Sequence, residues 1–249
     1  MISFILSYKK NRLHHLINFE PNIKTHYKDY EIIVCEQDDD EEFKRGQLLN
    51  LGFKKSSGDI LVFLDVDIRF VEYVDFYGIM EKISRPFLPW DHRQQILENG
   101  PNDFSILKDE SYYCTQGFGG MTVFSRIQFE KSCGFSNLFC GWGGEDTALN
   151  MRCGGISRVP GNLYHIKHPS FMKEFDPKNN ICTTHNRKII SDVKKYPARF
   201  DSFRHTIAKE TIKKEEECFK HYCFSSFDVT DECPYRDFVN KIYKLEVQQ

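Results

Sequence analysis

Ile60-Leu61-Val62-Phe63-Leu64-Asp65-Val66-Asp67 is the stretch that decides the fold. Its apolar run is far shorter than the roughly 20 residues a membrane span needs. It reads instead as a strand buried on both faces of a parallel sheet. The Gly58-Asp59 turn precedes it, and two carboxylates one residue apart end it. Upstream, Phe43 to Phe53 reads as a helix, with Leu48, Leu49 and Phe53 spaced for one buried face. Glu31-Ile32-Ile33-Val34-Cys35 is a second short apolar run. Leu13, Leu16 and Ile17 recur at helical spacing, and Ile2 to Leu6 is a first strand. This β-α-β-α-β order predicts an α/β fold around a mostly parallel open sheet. Ligands in such folds bind at the carboxyl ends of the strands, where Asp65 and Asp67 stand.

Downstream the pattern changes. Pro86, Pro89, Gly100 and Pro101 predict a surface loop over 86–110. Residues 111–168 hold the densest glycines and a second acidic motif. From 169 the chain is polar and basic, 206–223 reads as an amphipathic helix, and the end reads as a peripheral packing segment.

Composition narrows the class. The chain has 249 residues, which predicts one large domain. Lys and Arg total 34 against 36 Asp and Glu, so the net charge of -2 excludes a strongly basic nucleic-acid footprint. The N-terminus is apolar but has no basic region ahead of it and no small-residue cleavage site, so it reads as a strand, not a signal peptide. The nine Cys are odd in number and spread from Cys35 to Cys233, unlike a disulfide framework. Reduced thiols and a cytoplasmic location are expected.

Three motifs carry chemistry. Asp65-Val66-Asp67 can face a divalent cation whose other partners are phosphates; alone it is also an ordinary solvated turn. Gly141-Trp142-Gly143-Gly144-Glu145-Asp146 pairs close backbone approach with a flat apolar ring suited to a sugar. Its two acids open a helix, which a charged first turn would also explain, but the Trp and three glycines are not explained that way. His165 and His168 can supply imidazole to a metal. Cys218, His221, Cys223 and Cys233 have no usual zinc spacing, and the three cysteines read as ordinary thiols.

Together these residues resemble the β-1,4-galactosyltransferase family. Phe118-Gly119-Gly120, Gly134-Phe135-Ser136-Asn137, the Gly-Trp-Gly-Gly-Glu-Asp motif and His165 to His168 look like its catalytic region. Lys10-Asn11-Arg12, Phe43-Lys44-Arg45-Gly46 and Arg199-Phe200-Asp201 look like three further family segments in the right order. The resemblance implies a GT-A fold and an inverting transfer of a hexose or N-acetylhexosamine from a UDP-sugar to a glycan hydroxyl. Manganese is the implied metal, with magnesium tolerated. By motif position it implies Asp146 as base with Glu145 beside it, and Asp67, His165 and His168 as metal ligands. Arg12, Phe43, Arg45, Asp65, Trp142 and Gly143 would hold the nucleotide sugar, and Arg199, Phe200 and Thr147 the acceptor.

The sequence departs from the family at four places. Thr147 stands where another Asp is common, and Gly117 where a bulkier residue meets the donor sugar. Residues 169–198 read as a longer loop, polar enough to be a lid over donor and metal. No transmembrane anchor is seen, so a soluble bacterial or viral relative is expected. The expected organisation is one catalytic domain over 1–206, with a nucleotide half at 1–110 and an acceptor half at 111–206. A helical extension would follow at 207–249. The competing readings are a GT-A domain of a chondroitin-like synthase and a UDP-sugar-binding module that has lost catalysis.

Overall fold

The protein is seen here as a computed structural model, which describes residues 1–9, 13–16, 19–37, 42–91, 93–97, 106–113, 118–132, 134–137, 139, 141, 143–166 and 181–195. Strands β1 (Ile2–Lys9), β2 (Tyr30–Gln37) and β3 (Ile60–Asp65) form the parallel heart of a six-stranded sheet. Phe4 of β1 pairs with Ile32 on one side and Val62 on the other. Beyond β3 come antiparallel β8 (Met121–Ser125), β5 (Phe87–Leu88) and β9 (Ser157–Arg158). Leu61 to Leu64 are wholly buried, as a strand covered on both faces should be.

Aromatic rings fill both faces. On one, Phe4 lies 5.1 Å from Tyr27, just past α2 (Phe19–His26), and 6.3 Å from Phe76 at the start of α4 (Phe76–Ile83). On the other, Phe63 lies 4.5 Å from Phe129 of α5 (Arg126–Ser132) and 5.3 Å from Phe135. Helix α3 (Arg45–Lys55) covers this second face, contributing Phe53 against Phe129 at 4.8 Å. Such tilted pairs add about 0.5–1.5 kcal/mol each beyond the area they bury. Helix α3 has no side-chain N-cap, so packing rather than capping holds it. Helix α4 is capped: Asp75 Oδ1 accepts from the Gly78 N–H at 3.1 Å. A short helix α1 (Leu13–Leu16) precedes α2.

A second, four-stranded sheet has the order β4-β10-β6-β7. Its strands are β4 (Ile68–Arg69), β6 (Arg93–Leu97), β7 (Ile106–Tyr113) and β10 (Asn162–Ile166). Only Val66 and Asp67 separate β3 from β4, so the D-x-D turn is the step from one sheet to the other.

Two expectations change. The 86–110 surface loop contains β5, β6 and the start of β7. Pro86 flanks β5 instead of breaking it: it lacks an N–H, but its carbonyl accepts from Ser157 at 2.9 Å. The polar strand β6 is recruited by β10, which runs parallel to it and lies far along the chain. The 169–198 loop contains helix α7 (Ile181–Lys195), in which His185, Asn186 and Ile189 are buried. The expected 206–223 helix and the 207–249 extension lie outside the described residues. Among the described residues no helix is long and apolar enough to cross a membrane.

Candidate functional site

Arg45 opens α3, Asp65 closes β3, and Glu145 and Asp146 open α6 (Glu145–Arg152). The fold brings all four together at the carboxyl end of the parallel strands. Arg45 Nε donates to Asp65 Oδ1 at 2.8 Å, and one Nη donates to Asp146 Oδ1 at 2.9 Å and, more loosely, to Glu145 Oε1 at 3.4 Å. The guanidinium is nearly buried and lies 6.0 Å from the Phe135 ring centroid. Charge-assisted bonds of this kind are the strong ones, and burial strengthens them.

One cation among three carboxylates leaves surplus negative charge in a partly buried site. Burial, then repulsion from Asp146, raises the Glu145 pKa; burial also raises that of Asp146, against the pull of Arg45. Such neighbours titrate as a pair. Glu145 is the more buried and makes the longer contact with Arg45, so it is the better place for a shared proton. Asp146 then carries the charge. Its Oδ1 is held by Arg45, while Oδ2 faces Gly119. A Cβ added at Gly119 would stand 2.7 Å from that oxygen, so the glycine lets the backbone pack closely on Oδ2.

The glycine-rich loop is tied down at both ends. Gly141 N–H donates to Phe43 O at 2.9 Å. Asn186 Nδ2 of α7 donates to Gly143 O at 2.7 Å. Gly144 takes φ +106 against the Phe139 ring, a conformation L side chains rarely adopt. Thr147 follows, half-buried, in the first turn of α6. Asn50 fixes the neighbouring loop by a two-way bond to the Phe135 backbone, at 2.9 and 2.8 Å.

The two acids of the D-x-D part company. Asp65 turns to Arg45, whereas buried Asp67 turns to the second sheet, where its Oδ1 lies 3.4 Å from His165 Nε2. His165 Nδ1 is 3.1 Å from Ile166 O, so on that bond it carries the ring proton. Nε2 then faces the carboxylate oxygen, and a ligating His normally donates its other N–H to such a carbonyl. The oxygen and nitrogen donors fit a hard divalent ion. Among the described residues no group of three or more metal-ligating side chains is present. His168, Arg12, Trp142, Arg199 and Phe200 lie outside the described residues.

Sequence reasoning missed Arg69. It is fully buried, and its Nη1 donates to Val66 O at 2.8 Å and Ile68 O at 2.7 Å, the carbonyls on either side of Asp67. Its other Nη donates to His15 O in α1. Burial lowers its pKa to about 10. Asn186 was missed as well; neither residue has a local signal beyond its identity.

Residues 1–79 match the N-terminal region of glycosyl transferase group 7, and residues 107–169 match the N-terminal domain of galactosyltransferase, together more than half of the chain. Human beta-1,4-galactosyltransferase 1 is 31% identical over 222 residues, covering 82% of this chain and 46% of that protein. The chain thus spans less than half the length of the curated relatives it matches. The catalytic domain of Drosophila beta-1,4-galactosyltransferase 7, solved with xylobiose, superposes with a TM-score of 0.51 at 21% identity, covering 75% of this chain and 79% of that one. GalNAc-T7, solved with UDP, GalNAc and Mn2+, superposes with a TM-score of 0.55 at 12% identity, covering 94% of this chain and 58% of that one. Both share the fold, which is the GT-A arrangement.

Proposed function

We propose, since this chain belongs to the β-1,4-galactosyltransferase family, that it is an inverting, metal-dependent glycosyltransferase. It would move a hexose or N-acetylhexosamine from a UDP-sugar to a hydroxyl of a glycan acceptor. The observation that carries this reading is the cluster of Asp146, Glu145 and Asp65 on Arg45, one step from Asp67 and His165.

In the reaction, the acceptor oxygen forms a bond to the anomeric carbon as the bond from that carbon to the diphosphate breaks. Asp146 takes the acceptor's proton at Oδ2, the oxygen not bonded to Arg45. Such help is typically worth about 10²–10⁴ in rate. Arg45 orients the Asp146 carboxylate through Oδ1 and holds Asp65 through Nε. Asp67 and His165, with His168, would hold manganese, which neutralises charge on the departing diphosphate when bound. Arg12, Phe43, Trp142 and Gly143 would contact the nucleotide sugar, and Thr147, Arg199 and Phe200 the acceptor. We place the catalytic domain over 1–206. We place the protein in the cytoplasm, where the buried thiol of Cys35 would stay reduced.

A panel of UDP-sugars tests the reading without knowledge of the acceptor. At least one should release UDP with manganese and none with chelator. Equal release with and without metal, or none from any donor, overturns it.

A further inference from the structure

Strand β10 has two faces, and the chemistry above uses one of them. His165 points to Asp67, while its neighbours Asn162 and Tyr164 point the other way, since side chains alternate along a strand. On that reverse face, paired through Tyr164 with Arg69, lies a cavity of about 250 Å³. It has room for one sugar ring rather than a chain. No part of the Arg45 cluster lines it.

Its walls are divided. On the polar side Tyr164 Oη is 3.5 Å from Glu72 Oε1, and Asn162 Nδ2 is 3.5 Å from Tyr164 Oη. These bonds are long, so a ligand hydroxyl could replace them at little loss. On the apolar side the Tyr73 ring leans on Tyr27 at 43°, with centroids 5.4 Å apart, yet stays 60% exposed. That fixes an aromatic platform at the mouth. Met121 adds an apolar wall deeper in.

Charge decides what such a cavity accepts. The Arg69 Nη atoms are committed to three backbone carbonyls, which leaves its buried Nε as the one guanidinium donor without a partner among the described residues. Asp75 caps α4, which leaves Glu72 as the acidic acceptor. A carboxylate, an amide and a phenol beside a flat ring match the hydroxyls and apolar face of a neutral sugar.

We propose that this cavity is a saccharide subsite, taking one ring of a neutral glycan away from the transfer centre. The choice of sugar rests on the reading of the chain as an enzyme of glycans; the cavity's geometry does not.

Saturation-transfer NMR on the full chain tests it, with millimolar lactose, xylobiose and N,N′-diacetylchitobiose as probes and no UDP-sugar present. At least one disaccharide should receive transfer, equally in wild type and in Asp146→Asn. Glu72→Gln and Tyr73→Ser should each weaken that binding about tenfold, the loss expected for one charged hydrogen bond or one stacking face. The proposal is overturned if no disaccharide receives transfer, or if both variants bind as wild type does. It is also overturned if tetramethylammonium shows the Glu72 and Tyr73 dependence and the sugars do not. UDP release, measured separately, tells the two readings apart. Release without disaccharide binding sinks only the cavity; Glu72-dependent binding without release sinks only the enzyme.

Discussion

The two sheets divide the work unequally. The six-stranded sheet is apolar on both faces and sets Arg45, Asp65 and the start of α6 at its edge. The four-stranded sheet includes the polar strands β6 and β7 and is joined by long-range pairing, yet it supplies His165 opposite Asp67. On the proposed reading the general base is built on the buried core, and the metal pair on a seam between core and periphery. A change on the core side should strike chemistry while sparing the metal. A change at the seam should do the reverse.

The largest effect tests the core side. Asp146→Asn should lower transfer by about 10²–10⁴ with the thermal midpoint and manganese affinity little changed. Near-normal turnover would show that Asp146 is not the base. Loss of manganese binding in this variant would erase the division between the two sides.

Legibility follows the same divide. Ile60 to Leu64 were readable because burial on both faces demands a continuous apolar run, and Asp65 and Asp67 because they follow it directly. What no local pattern states is that the two carboxylates turn to different sheets. Their partners, Arg45 and His165, are fixed by tertiary packing alone. Strand β6 escaped for a related reason. Its polar residues and the prolines before it look like a loop until β10 arrives to pair with it. Arg69 is the sharpest case: a charged residue beside a turn reads as solvated, yet here carbonyls that need donors draw it into the interior.

Arg69 offers the seam test. Its guanidinium brackets Asp67 through the carbonyls of Val66 and Ile68. Arg69→Met should weaken manganese binding about 10–100-fold, as loss of outer support for a metal ligand typically does. Arg69→Lys, which keeps the charge but not the fork, should recover only part of it. Titration of Mn2+ followed by its electron paramagnetic signal reads this directly, beside a thermal scan. A lowered melting point with unchanged metal affinity would make Arg69 purely structural.

A smaller effect concerns pH. Because burial raises the pKa of Asp146, activity should fall on the acid side at a pH above the ordinary carboxylate range. The sign follows from the base being needed unprotonated. Glu145→Gln is the isostere of the protonated Glu145, so it removes no charge from beside Asp146. The acid limb should therefore stay in place, while kcat on the plateau changes little. A limb that moves to lower pH would show that Glu145 is charged while Asp146 titrates and does not hold the shared proton.

The smallest effect lies where the core meets α7. Asn186 Nδ2 donates to Gly143 O, and a Cβ on Gly144 would stand 3.5 Å from Asn186 Cβ, so this helix rests against the loop that precedes the base. Helix α7 falls inside the segment expected to close over the donor. If it were a free lid, Asn186→Ala would leave stability unchanged and alter only the donor-bound state. The bond to Gly143 argues otherwise. Deleting one hydrogen bond of this kind, to a half-exposed loop carbonyl, should lower stability by about 0.5–1.5 kcal/mol. The loosened loop should also raise the KM for the UDP-sugar several-fold with kcat nearly constant, since Asp146 keeps its bond to Arg45. Thermal unfolding and steady-state kinetics with the active donor separate these outcomes. Unchanged stability with a changed donor KM would return α7 to the role of a lid, and an unchanged KM would confine the tether to the fold.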